Sequence, residues 1–214
     1  MDIQLTRDIM ILQRYLSPKV TKKGVKFHFR VMALAVGDCN VYVYDEIRVL
    51  LATIPYTEND ENHYEIVKKK DRSCMHFTNA SVNEKHPTYD KGLHNQECNA
   101  FCQAQGLSST IIVQDITTCI RTVFENACAN RRRFFTLPNC YELFGFDFML
   151  DRNDRLWLLE INPDPSPRLF QLENWKGVVG NPLKEIPESF TRVYSKTLSE
   201  GWNRLKALRT QNKK

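Results

Sequence analysis

No stretch of this 214-residue sequence is apolar for long enough to cross a membrane. The longest candidate, Val31 to Val36, ends at Gly37-Asp38, far short of the ~18 residues a span needs. Nor does the N-terminus carry the charged-then-apolar layout of a secretory signal. The sequence has no CxxC pair. Its seven cysteines, Cys39, Cys74, Cys98, Cys102, Cys119, Cys128 and Cys140, are odd in number and scattered, which argues against a zinc ribbon and against the dense disulfide framework of a small secreted domain. Reduced thiols and a cytoplasmic or nuclear location are the expectation. Internal repeats and low-complexity segments are also missing, and the basic clusters lack the interleaved aromatics and motifs of a nucleic-acid binder. A membrane is therefore set aside as a partner, and nucleic-acid binding through the basic clusters stays only as a third, weaker reading.

What is present is an ordinary globular composition, 42% apolar and 26% charged, long enough for one sizeable core or two small ones. The net charge of +5 gathers in Lys68-Lys69-Lys70 with Arg72, in Arg131-Arg132-Arg133, and in Lys196, Arg204, Lys206, Arg209, Lys213 and Lys214. Such clusters attract polyanions, acidic tails and phosphates among them, or else form solvated loops and a charged helix back. Ile9 to Leu12 reads as a strand leading into a loop with a Ser17-Pro18 break. Lys26 to Val36 alternates and then becomes continuously apolar, Gly37 to Asn40 is a turn, and Val41 to Pro55 resumes strand character, so the two should pair antiparallel.

Residues 57 to 107 are polar, nearly aperiodic, and read as partly mobile loops. Within them His94, Cys98 and Cys102 recur every four residues; a metal stripe would lack its fourth ligand, so two small buried thiols on a helix face are favoured. Ser108-Ser109 offers an N-cap for a helix in which Ile112, Ile116, Cys119, Ile120, Val123, Phe124, Ala127 and Cys128 recur at three- and four-residue spacing. Phe190, Val193, Tyr194, Leu198, Trp202, Leu205 and Leu208 outline a terminal amphipathic helix. The sum is an α+β protein, a mostly antiparallel sheet flanked by helices.

The chemistry concentrates in Phe144 to Pro167, FGFDFMLDRNDRLWLLEINPDPSP. Two strand-like runs flank a polar turn, and each holds a carboxylate. A two-residue turn at Asn153-Asp154, closed by Arg152 and Arg155, pairs 151 with 156, 149 with 158 and 147 with 160. Asp147 and Glu160 would then lie opposite each other on one face with Cβ atoms ~5 Å apart, and Asn162 would point to that face. Like charges so placed destabilise a ladder. A magnesium ion between them removes the conflict; a shared proton or nearby arginines would also do so. Lys26, His28 and Arg30 alternate and so share one face, suited to a polyphosphate or carboxylate, or else to solvent. A metal-binding acidic hairpin together with a cationic strand reads as a nucleotide site.

The sequence resembles the tubulin-tyrosine-ligase family of the ATP-grasp superfamily. The resemblance rests on Gln13-Arg14-Tyr15-Leu16, Lys26-Phe27-His28-Phe29-Arg30, the strand from Val41 to Pro55-Tyr56, His76-Phe77-Thr78-Asn79, the run from Glu142 to Phe148, and Leu159-Glu160-Ile161-Asn162. It implies an ATP-grasp-like C-terminal lobe: a partial domain over residues 1–170, followed by an extension over 171–214. Gln13, Arg14, Tyr15 and Leu16 would cradle adenine. Lys26, His28, Arg30, Thr78 and Asn79 would face the nucleotide phosphates or the substrate, and Asp147, Glu160 and Asn162 would hold Mg²⁺, with catalysis resting on Arg30, Glu160 and Asn162. The implied activity is an ATP-dependent ligation in which a carboxylate takes the γ-phosphate and the resulting acyl phosphate is converted by an amine to an amide. The implied partner is an acidic protein tail such as that of tubulin. His28 stands where the family usually has an aspartate, and Leu50 where it often has an arginine, with Arg48 on the same face as a possible replacement. The family's N-terminal domain and first half-site precede the linker that here begins at residue 13. The alternative is a catalytically inactive scaffold, fragment or pseudoenzyme, that binds nucleotide or a partner protein.

Overall fold

The computed structural model describes residues 13–57, 69–130, 132, 134–170, 176 and 179–195. Strand β1 (Phe27–Val36) is the centre of a seven-stranded, antiparallel sheet. On one side it pairs with β5 (Tyr141–Leu150), which pairs in turn with β6 (Leu156–Pro163). On the other side β2 (Asn40–Tyr44) takes residues 33–36 of β1, and β3 (Arg48–Leu51) takes residues 27–30. The expected single strand from Val41 to Pro55 is therefore broken at Asp45 to Ile47, yet both pieces keep to one side of β1. Strand β4 (Asn95–Glu97) extends β3, and β7 (Phe190–Ser195) extends β2.

The period of two divides β1 into faces. Phe27, Phe29, Val31 and Ala33 join Phe146, Phe148 and Leu150 of β5 beneath helix α5 (Ser109–Ala129). That helix presents Ile112, Ile116, Ile120, Phe124 and Cys128, all buried at helical spacing as expected, and the Ser108 hydroxyl caps it by accepting from the Ile111 N–H at 3.4 Å. Full burial of each large side chain is worth about 1.5–3 kcal/mol, so this face supplies most of the fold's hydrophobic stabilisation. At the far end of the opposite face, Leu34 and Val36 pack with Val179 and Phe190.

The stretch expected to be loops holds four short helices, α1 (Lys69–His76), α2 (Ala80–Asn83), α3 (Lys91–His94) and α4 (Cys98–Gln105). Their local caps substitute for periodicity: the Glu97 carboxylate accepts from the Asn99 and Ala100 N–H groups, and Gly106, at φ 74°, closes α4 in the left-handed region. Cys98 and Cys102 are buried with their sulfurs 3.9 Å apart, while His94 ends a different helix, so no common stripe forms. Cys39 and Cys128 are joined as a disulfide between the β1–β2 turn and the end of α5, against the expectation of thiols throughout. Phe190 to Ser195 is strand, not helix, because β2 offers an edge on which aromatic and β-branched residues pack. Ile9–Leu12 and the rest of the terminal stretch, 196–214, lie outside the described residues.

Candidate functional site

The opposite face of β1 carries His28 and Arg30, with Lys26 just before the strand. Register sets Arg30 of β1 opposite Asp147 of β5, and Asp147 opposite Glu160 of β6. A row of cation, acid and acid thus crosses three neighbouring strands. The hairpin reaches this register by a route other than the expected one. Its turn has three residues, 152–154, closed by the Asp151 N–H to Arg155 carbonyl bond, with Asp154 at φ 63°. The one-residue offset is then removed by a bulge, Phe148 facing Leu158 while Asp147 faces Glu160. The two departures cancel, and the acids meet.

Their conflict is settled by neighbours. Arg30 grips Asp147 with both ends of its fork: Nε donates to Oδ1, and Nη2 to Oδ2 at 2.7 Å. His28 Nε2 lies 3.4 Å from Asp147 Oδ1, and His28 Nδ1 lies 2.5 Å from the Thr78 hydroxyl. His28, Arg30, Thr78 and Asp147 are all buried. Burial raises the Asp147 pKa, but hydrogen bonds from His28 and Arg30, with their charges, bring it down to about 2. Asn162 Nδ2 donates to Glu160 Oε1 at 3.1 Å and to Asp147 Oδ2 at 3.4 Å, so an amide stands between the two acids. Glu160 itself is exposed, unlike the buried acid that its apolar context suggested. Gly145 is required beside this row: a Cβ there would lie 2.8 Å from the Pro165 ring, which folds back over the sheet next to Arg30.

A second cluster adjoins the first. Lys26 Nζ donates to the Tyr15 hydroxyl at 3.2 Å and lies 5.1 Å from that ring's centre. Tyr15 Oη is 3.1 Å from His76 Nδ1; the Tyr15 and Tyr56 rings are parallel to within 6°, and His76 stands at right angles to both. Burial lowers the Lys26 pKa, and burial followed by the Lys26 charge lowers that of His76. Gln13 and Arg14 are exposed and Leu16 half-buried on the same entering segment. Asn79 starts α2 without a side-chain capping bond.

Sequence reasoning did not give roles to His76, Tyr56 or Asn83, although the first two lay within the quoted motifs. Asn83 is fully buried; its amide ties the carbonyls of Phe77 and Asn79 and the Thr53 backbone together and so fixes the segment bearing Thr78. Arg48 shares the face of Arg30 but is bound to Asn95 and Glu46. Leu50 faces His28.

Among the described residues no group of three or more His, Cys, Asp or Glu could hold a metal ion alone. Two carboxylates and an amide oxygen are hard donors that suit Mg²⁺ when phosphate oxygens complete the shell. The residues therefore fit the ion in kind; here the Arg30 fork neutralises Asp147, and the Asn162 N–H group donates to both acids.

An α+β protein whose antiparallel sheet sets cations and acids in a row on the face away from α5 has the architecture expected of an ATP-grasp C-terminal lobe. The sequence model of the tubulin-tyrosine ligase family matches residues 2–171, and the chain belongs to that family. It is 32% identical over 160 residues to a probable tubulin–tyrosine ligase of Saccharomyces cerevisiae, covering 73% of this chain and 21% of that protein. A probable tubulin–tyrosine ligase of Schizosaccharomyces pombe is 27% identical over 157 residues, 73% of this chain and 36% of the relative. A tubulin polyglutamylase of Mus musculus is 28% identical over 176 residues, 73% of this chain and 21% of the relative. The matched region thus spans about a fifth to a third of the length of these relatives.

Proposed function

We propose that this chain carries the metal- and phosphate-binding half of an ATP-dependent ligase that joins an amino acid to an acidic protein tail. The observation that supports it is the Arg30–Asp147–Glu160 row, built on three strands, with Asn162 between the acids. Asp147, Glu160 and Asn162 would hold Mg²⁺. Mg-ATP, when bound, supplies the activated phosphoryl group. Arg30 is fixed through Nε and Nη2, which leaves Nη1 as the donor for an anion. Lys26, held against Tyr15, adds a second cation, and Tyr15 with Tyr56 offers ring faces for the base. Ligation needs mainly placement and charge stabilisation, and these side chains are of the kinds that provide both.

Calorimetry with Mg-ATP tests the assignment. Glu160→Gln removes a ligand at an exposed position, so the fold should persist while affinity falls at least about tenfold, one charged metal contact being worth 1.4 kcal/mol or more. Unchanged affinity would sink it. The second reading, a nucleotide- or protein-binding scaffold, is favoured by Arg30 engaging both oxygens of Asp147. Tight Mg-ATP binding with no mass added to an acidic peptide in the presence of free amino acids would select it.

A further inference from the structure

The sheet's other end gathers three cysteines that ligation does not use. Cys39, in the β1–β2 turn, is joined to Cys128 at the end of α5. Cys140 lies just before β5 and lines the same cavity as Cys39, a space of about 170 Å³. Gly37 ties the two backbones together: its N–H donates to the Cys140 carbonyl at 2.9 Å, and its carbonyl accepts from the Cys39 N–H at 2.7 Å. Of the free cysteines, all within the described residues, Cys140 alone is exposed; Cys74, Cys98 and Cys102 are buried and Cys119 is half-buried.

Turn chemistry does not account for a cysteine at position 39. Val36 pairs with Asn40, so Gly37, Asp38 and Cys39 form a three-residue hairpin loop whose last residue, Cys39, is left-handed at φ 67°. Glycine is the usual choice there, because a Cβ makes that region costly. Cys39 and Cys128 are also only 2% and 7% exposed. A thiol in solution therefore has poor access to the crosslink and good access to Cys140.

We propose that these three residues form a thiol–disulfide exchange site, in which Cys140 lets a small thiol open the Cys39–Cys128 crosslink. The Cys140 thiolate attacks Cys39 Sγ; a Cys39–Cys140 bond forms, the Cys39–Cys128 bond breaks, and Cys128 leaves as a thiolate that takes a proton from water. A small thiolate then attacks Cys140 Sγ and frees Cys39. A second attacks the mixed disulfide, restores the Cys140 thiol and departs as the small-molecule disulfide. Two electrons pass from two small thiols to the crosslink, and no other reductant is needed. Cys128 leaves from a buried place at the C-terminal end of a helix, both of which disfavour a thiolate. The first exchange thus runs uphill, and the Cys39–Cys128 form is the resting one. Glu142 in the cavity wall favours a neutral thiol over an anionic one. Opening unties α5 from the β1–β2 turn and moves neither Arg30 nor the two acids, so this site and the proposed ligation site stand or fall separately.

Mercaptoethanol added to the whole oxidised chain, followed by acid quenching, alkylation and mass mapping of the cysteine peptides, is the test. In the parent a Cys39–Cys140 linked peptide should appear before free Cys39. Cys140→Ser, at an exposed position, should open the crosslink at least about tenfold more slowly, because exchange depends on access to the attacked sulfur. Cys119→Ser should open like the parent. Equal opening rates in Cys140→Ser and the parent would overturn the proposal, as would Cys39 and Cys128 both remaining open to alkylation after equilibration with glutathione disulfide. A Cys119→Ser variant slowed as much as Cys140→Ser would overturn it too, since the effect would then not belong to the thiol in the cavity.

Discussion

Asp147 occupies a position where a lone carboxylate would cost several kcal/mol, and Arg30 and His28 keep it ionised. Its pKa in the fold, about 2, lies below the ordinary 3.8. The unfolded chain therefore binds more protons as pH falls, so this stabilisation is complete above about pH 4 and is lost between about pH 4 and 2. Its size is about 2 kcal/mol. Urea midpoints of the parent and of Asp147→Asn should converge as acid removes the parent's advantage; parallel curves would show that the pair is not coupled to stability. Arg30→Met alone strands a buried charge and should cost about 3–5 kcal/mol, most of it restored when Asp147→Leu is added. A double variant as unstable as the single one would contradict this. Gly145→Ala forces the Pro165 ring away from a 2.8 Å approach, and the overpacking should cost about 1–3 kcal/mol, read as a lowered melting temperature.

At the scale of elements, α5 bears on both stability and the limits of sequence reading. Its cap is a single hydroxyl, so Ser108→Ala should lower stability by about 1 kcal/mol in urea unfolding, with an unchanged slope; a neutral substitution would mean that water replaces the cap fully. This helix was legible because 21 residues repeat one apolar period. Helices α1 to α4 were not, since four to eight residues cannot display a period and their signals lie in caps such as Glu97 and Asp90. The terminal stretch misled in the other direction: Phe190, Val193 and Tyr194 fit a helical spacing, but the edge of β2 decided their conformation. The β5–β6 hairpin was legible in what faces what and not in how, because turn length and bulge compensate without altering the apolar pattern. Glu160 was misjudged for a related reason: β6 pairs only with β5 among the described residues, so apolar neighbours such as Leu159 and Ile161 are themselves exposed and did not signal burial.

At the scale of the molecule, one sheet separates two tasks. Its α5-covered face supplies the core, while the opposite face carries Lys26, His28, Arg30, Asp147, Glu160 and Asn162, whose arrangement depends on three strands keeping register. The candidate site should therefore form only in the folded chain, and ligand binding should appear as added stability. Mg-ATP at a hundredfold its dissociation constant should stabilise by about 2.7 kcal/mol, a rise of roughly 5–11 °C in melting temperature for a chain of this size. Glu160→Gln at the same concentration should lose most of that rise, because its exposed carboxylate contributes to the metal and not to the core. ATP without Mg²⁺ should recover only part of it, since the anion can still reach Arg30 and Lys26 but leaves Glu160 unneutralised beside the phosphates. Equal shifts with and without Mg²⁺ would assign the face to anion binding alone and leave the two acids to the Arg30 and Asn162 contacts already present.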